Sequence, residues 1–238
     1  MISLSDNKEI ILPLSKADVF GTRIASEYLS GTAELIWWDH EKLLMSLKNG
    51  VLSISGSISD TEELKDFISF ISPAVVMCMQ NVADILSLNV IQSGVLMSKE
   101  TEGEITHLTG YFPDVLFSEY HELLEKCDMA PDYSGFCRET SVALRTGTGI
   151  LLEEREEGKL TATLIATSVS DDSAIINAVA VDPEHQRKGL GRLLMKKAEA
   201  LLSGRKLFIM REDNKNEEFY TSCGYRNCGR WCVAETNI

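Results

Sequence analysis

Arg187, Lys188 and Arg192 flank two glycines in the run Gln186-Arg-Lys-Gly-Leu-Gly-Arg192. That combination is suited to binding an anion. The first backbone N–H groups of a helix have no intrahelical partner, the helix dipole leaves partial positive charge there, and glycine lets a phosphate come close to the backbone. Three formal charges in one short loop suit a polyphosphate better than a single carboxylate. Two familiar phosphate loops fail on spacing. A P-loop needs Gly-x-x-x-x-Gly-Lys followed by Ser or Thr, which the chain lacks, and the dinucleotide fingerprint needs a third glycine where Leu194 stands.

The neighbouring residues supply the elements that must position this loop. Ala174 to Val181 is an apolar run that stops at Asp182-Pro183 and reads as a buried strand. A helix starts at Leu190, with Leu193, Leu194, Ala198, Leu201 and Leu202 on its apolar face and Gly204 as its stop. Leu207 to Met210 reads as a strand, and Asn214 with Glu217 as the start of a further helix.

Gln186 to Gly191 resembles the Gln/Arg-x-x-Gly-x-Gly/Ala pyrophosphate loop of the GCN5-related N-acetyltransferases, the GNAT superfamily. Asn214 to Tyr225 resembles that family's Asn...Tyr-x-x-x-Gly-Phe segment. The resemblance implies a mixed α/β acyltransferase fold and acetyl-CoA as co-substrate. It lays the coenzyme arm along the backbone of Val179, Ala180 and Val181 and places the phosphates on Gln186, Arg187, Lys188, Gly189, Leu190, Gly191 and Arg192, with Asn214 beside them. It also makes the Tyr220 hydroxyl the general acid for the departing thiolate. A phenol with pKa about 10 can serve a thiol near 8.5 only if held close to it.

No general base stands out. An alkyl amine near pKa 10.4 is about 3.4 units from being half neutral at pH 7, worth about 4.6 kcal/mol of barrier. Where many family members carry a glutamate, after the loop helix, this chain has Ile209; Glu139, Glu153, Glu154 and Glu212 are the alternatives, each acting through water. The expected activity is acetyl transfer to a primary amine of a small molecule or peptide by direct attack on the thioester. The competing reading is a module that senses acyl-CoA without turning it over.

The chain's net charge of −13 is concentrated in one half: residues 1–131 hold 20 acidic and 8 basic side chains, the remainder 16 and 15. Such a division suggests two modules, 1–128 and 129–238. The first repeats the order of elements of the second, with Ser57-Ile58-Ser59-Asp60 where the glycine loop would be. It is read as a degenerate GNAT-like module that binds no coenzyme and whose acidity attracts cationic acceptors. In this half Ser15 to Leu29 reads as a helix or helix pair, Asn49-Gly50 as a hairpin turn, Asp60 with Glu63 as a capping box for a helix Thr61 to Ile71, and Asn81 as a cap. Nucleic acid is disfavoured by the charge, and no apolar run is long enough to span a membrane. Cys223, Cys228 and Cys232 match no common zinc spacing, so the six cysteines are expected to be free thiols and no metal is expected. The expectation is a cytoplasmic monomer or homodimer.

Overall fold

The computed structural model describes residues 1–110, 115–213 and 215–236, so Asn214 lies outside the described residues. The first half runs β1 (Ser3–Leu4), α1 (Lys8–Leu14), α2 (Val19–Leu29), β2 (Leu35–Trp38), β3 (Leu43–Lys48), β4 (Val51–Gly56), α3 (Thr61–Ile71), β5 (Val75–Met79), α4 (Gln80–Leu86) and β6 (Asn89–Glu100). The second runs α5 (Phe117–Lys126), α6 (Tyr133–Thr146), β7 (Ile150–Glu156), β8 (Lys159–Ala166), β9 (Ser168–Val169), β10 (Ser173–Ile176), β11 (Ala178–Val181), α7 (Leu190–Leu201), β12 (Lys206–Arg211), α8 (Glu217–Ser222) and β13 (Arg226–Glu235).

Local chemistry accounts for most boundaries. Asn49 and Gly50 both take positive φ, as a tight turn between paired strands requires, and Lys48 faces Val51 across it. The Asp60 side chain accepts from the Glu63 N–H at 3.0 Å, starting α3 where expected. Glu63 does not complete the capping box, because its carboxylate accepts from the Ile2 N–H. Asp18, near the start of the expected Ser15 to Leu29 helix, N-caps α2, so that helix begins at Val19, and α1, which lies outside the expected range, ends at Leu14. Asn81 lies inside α4 and caps nothing; Met79 precedes that helix. α7 is capped by Leu202, and Gly204 sits in the turn beyond it.

The strands interleave across the two halves. The large sheet has the order β1-β2-β3-β4-β5-β13-β6-β12-β10-β9, and β11-β8-β7 form a smaller one. β13, from the second half, lies between β5 and β6, while β6, from the first, lies between β12 and β13. From β2 to β6 the pairings are antiparallel, antiparallel, parallel, antiparallel and antiparallel. The series from β7 through β8, β11/β10, β12 and β6 to β13 repeats it. Each half thus has the same strand order, with its penultimate position filled by the other half. α5, which falls within the first 128 residues, packs on β8 and β11.

The apolar run Ala174 to Val181 is two strands, not one. β10 pairs with β12 and β11 pairs with β8, and Asn177 sits at the change of partner. Its side-chain oxygen accepts from the Thr167 N–H at 2.7 Å, satisfying a donor that a continuous ladder would have used.

Candidate functional site

β11 and β12 diverge from Asn177 onward, leaving one edge of β11 without a strand partner. This edge leads through Asp182 and a 3-10 turn (Pro183–His185) into the glycine loop. Asp182 holds that entry in place: its carboxylate accepts from the Glu184 N–H at 3.0 Å and pairs with Lys126 at 3.0 Å, which keeps it below the usual carboxylate range. Val181 O accepts from Gln186 Nε2 at 3.3 Å and Cys127 Sγ at 3.4 Å.

The two glycines do different work. Gly189 has φ of 87° and is the N-cap of α7, with no side-chain capping bond and open space where a Cβ would stand. The N–H groups of Leu190, Gly191 and Arg192 therefore have no side-chain cap among the described residues, and these three residues line a cavity. Gly191 is needed for packing, because a Cβ there would stand 3.3 Å from the Phe219 ring. α3, at the corresponding place in the first half, has its N-terminus closed by the Asp60 carboxylate and carries Glu62 and Glu63 in its first turn. Two helices in matching positions thus present opposite charge.

The cavity at α7 has a volume of about 560 Å³. Val179 and Val181 form one wall, Gln186, Arg187, Gly189 and Leu190 the next, and Gly191 and Arg192 continue along α7. Tyr220 also lines it. Two predicted residues do not line it: the Ala180 side chain is buried against α5, leaving only its backbone on the edge, and Lys188 lies outside the lining. Neither Arg187 nor Lys188 forms an ion pair among the described residues, and Arg192 only donates to Ser222 Oγ at 3.1 Å, so the loop's charge is uncompensated. Cys127, Met129, Asn216 and Phe219 complete the walls. No motif marks these four; only the packing of the turn after α5 and of α8 brings them in.

α8 is held by β12. Arg211, nearly buried at the end of that strand, pairs with Glu217 at 2.7 Å in the first turn of the helix. Tyr220 is 7% exposed, stacks edge-on to Phe219 at 5.0 Å, and its hydroxyl makes no hydrogen bond among the described residues. Burial pushes its pKa up to about 12, so it is a protonated donor at neutral pH. An unfolded phenol ionises near 10, so the folded state's advantage is intact below pH 10 and is lost as pH rises through 12, about 2–3 kcal/mol in all. Between pH 10 and 12 the unfolding free energy of Tyr220→Phe is expected to fall less steeply than that of the parent, as measured by urea titration at each pH.

The base alternatives separate by their contacts. Glu153 accepts from the Tyr120 hydroxyl and pairs with Arg155, which together hold it below the usual carboxylate range against the opposing effect of its burial. Glu154 is paired with Lys197 and Glu212 with Lys215. Ile209 is buried in the core. Glu139 alone of the four lines open space, beside Asn177 and Thr167, with Lys48 3.9 Å away. Burial pushes the Cys127 thiol up, which favours its protonated form.

Residues 147–227 match the model of the acetyltransferase (GNAT) domain. That stretch of the C-terminal half is similar to a GNAT domain. Solved structures extend the likeness to the full chain. A GCN5-related N-acetyltransferase from Kribbella flavida is 14% identical, with 94% of each chain covered and a TM-score of 0.62. A tandem GNAT protein from the clavulanic acid biosynthesis pathway, solved without AcCoA, is 9% identical over 100% of this chain and 99% of its own, with a TM-score of 0.57. A GCN5-related N-acetyltransferase from Sphaerobacter thermophilus is 10% identical over 98% and 94%, with a TM-score of 0.55. At such identities the likeness is one of fold: two GNAT-like modules in tandem on a mixed α/β framework. No curated protein sequence matches the chain. Among the described residues no group of His, Cys, Asp or Glu could hold a metal ion, and no helix is long and apolar enough to cross a membrane.

Proposed function

We propose that the C-terminal GNAT domain transfers an acetyl group from acetyl-CoA to a primary amine, and that the first half binds no coenzyme. The observation that carries this is the uncapped N-terminus of α7, opened by Gly189 at the end of the free edge of β11. The backbone amides, with Arg187 and Arg192, suit the pyrophosphate, and the β11 edge can pair with the amide-bearing arm as an added strand would. The amine nitrogen attacks the thioester carbonyl, the C–N bond forms, and the C–S bond breaks. The thiolate takes a proton from Tyr220, and the proton lost by the amine passes through water and restores the Tyr220 hydroxyl.

Each of Arg187→Ala and Arg192→Ala is expected to weaken acetyl-CoA binding about 10- to 100-fold, the worth of a charge-assisted hydrogen bond, and to flatten its salt dependence. Calorimetric titration at two ionic strengths reads both. Full affinity in the double variant would overturn the phosphate assignment. Turnover is tested by free-thiol release across an amine panel. The second reading, an acyl-CoA sensor, is favoured by one observation: all four base alternatives are in ion pairs, Glu139 in the longest of them. It predicts coenzyme binding with no amine-dependent thiol release.

A further inference from the structure

The space at the coenzyme loop continues beyond it. Met129 is shared with a second cavity of about 400 Å³, whose lining is apolar at Leu124, Phe136, Ile165 and Ala178 and polar at Asp132 and Thr140. This second cavity shares Glu139, Thr167 and Asn177 with a third, of about 340 Å³, lying between the two halves. The first half supplies Arg23 from α2 and Lys48 from the end of β3 to that third cavity, and α6 supplies Arg138.

Most charges in the third cavity are already satisfied. Arg23 is 3.0 Å from Glu27, whose other oxygen accepts from Ser46 Oγ at 2.6 Å. Glu34 accepts from the Asn49 N–H at 2.7 Å. Lys48 is engaged only at 3.9 Å by Glu139, and Arg138 has no ion pair or hydrogen bond among the described residues. The lining is balanced in formal charge, Arg23, Lys48 and Arg138 against Glu27, Glu34 and Glu139, and within it Arg138 is the basic side chain with no ion pair among the described residues. A guanidinium with its five donors free is matched by a carboxylate or another oxyanion.

We infer that these three cavities form one substrate path, and that the acceptor is an amine joined through an apolar body to an anionic group. The anion lies between the halves on Arg138 and Lys48, the body fills the middle cavity, and the amine reaches Ala178 at the start of the β11 edge. This rests on the acyl-transfer reading of the GNAT domain. It gives the first half a role as the far wall of the acceptor site, where it selects the acceptor.

The test is equilibrium binding to the intact chain, which needs no turnover. The probes are the dipeptide Leu-Phe, its C-terminal amide, and an analogue in which a phosphonate replaces the carboxylate. The dipeptide is expected to bind about tenfold more tightly than the amide, because only it presents the anion. A tighter phosphonate would assign the site to phosphate-type acceptors and a tighter carboxylate to amino acids or peptides; either supports the inference. Arg138→Gln is expected to abolish the preference and Lys48→Gln to reduce it, while Arg138→Lys retains part. Arg138 is exposed on α6, so thermal melting should match the parent. Equal binding of the three probes, no binding of any, or a preference that survives Arg138→Gln would overturn the inference. Acetyl-CoA titrated into the same samples separates the two readings. If the coenzyme binds but the anion preference is missing, only this inference fails; if the preference is present but the coenzyme does not bind, only the acyl-transfer reading fails.

Discussion

Tyr220→Phe is expected to lower kcat for amine-dependent thiol release by about 10²- to 10³-fold, the usual contribution of a positioned proton donor. Acetyl-CoA affinity should change little. The ring is held by Phe219 and the core, and those contacts survive loss of the hydroxyl. The split between kcat and binding is the informative readout, because a purely structural role would lower stability and affinity together. The pH profile adds a second check. With its pKa pushed up to about 12, Tyr220 stays protonated below that pH, so no alkaline loss of activity near pH 10 should belong to it. Wild-type rates in Tyr220→Phe would leave the catalytic reading without its acid.

Dividing the chain at 128/129 is expected to abolish cooperative folding of both pieces. β13 separates β5 from β6, and β6 separates β12 from β13, so each piece would carry a vacant slot in its own sheet. The residues exposed by the cut include Trp231, Cys232 and Ala234 on β13, and Leu96 and Met97 on β6, all buried in the intact chain. The loss is comparable to the whole stability of a domain, about 5–15 kcal/mol. Circular dichroism melts of each piece and of their mixture measure it. The intact chain should melt as one unit, each piece should lack a sharp transition, and the mixture should regain it. A piece that melts sharply on its own would show that the shared strands are dispensable.

The parts of the site legible in the sequence are those fixed by short-range chemistry. Gly189 needs its positive φ, Asp60 its cap, and Asn49-Gly50 its turn, and each stands where the sequence places it. The break at Asn177 was hidden because the residues on both sides of it are apolar, so hydrophobic patterning continues through the residue where pairing changes. Gly191 shows the same limit from the other side. Its place in the motif points to phosphate approach, while its neighbour in space is the Phe219 ring. Met129 and Asn216 reach the cavity through the packing of the turn after α5 and of the segment before α8, which no local pattern records. Arg138 was invisible as a site residue because its significance lies in the counter-charge it lacks.

The central pair β6 and β13 also sets an order of events during synthesis. β13 is made after the other twelve strands, so β5 and β6 are exposed as unpaired edges while the rest of the chain emerges. Unpaired edges of this kind invite association with other chains. The sheet can close only when β13 arrives, and its arrival completes the first half at the same moment as the second. The two modules look repeated in sequence, yet they become native together.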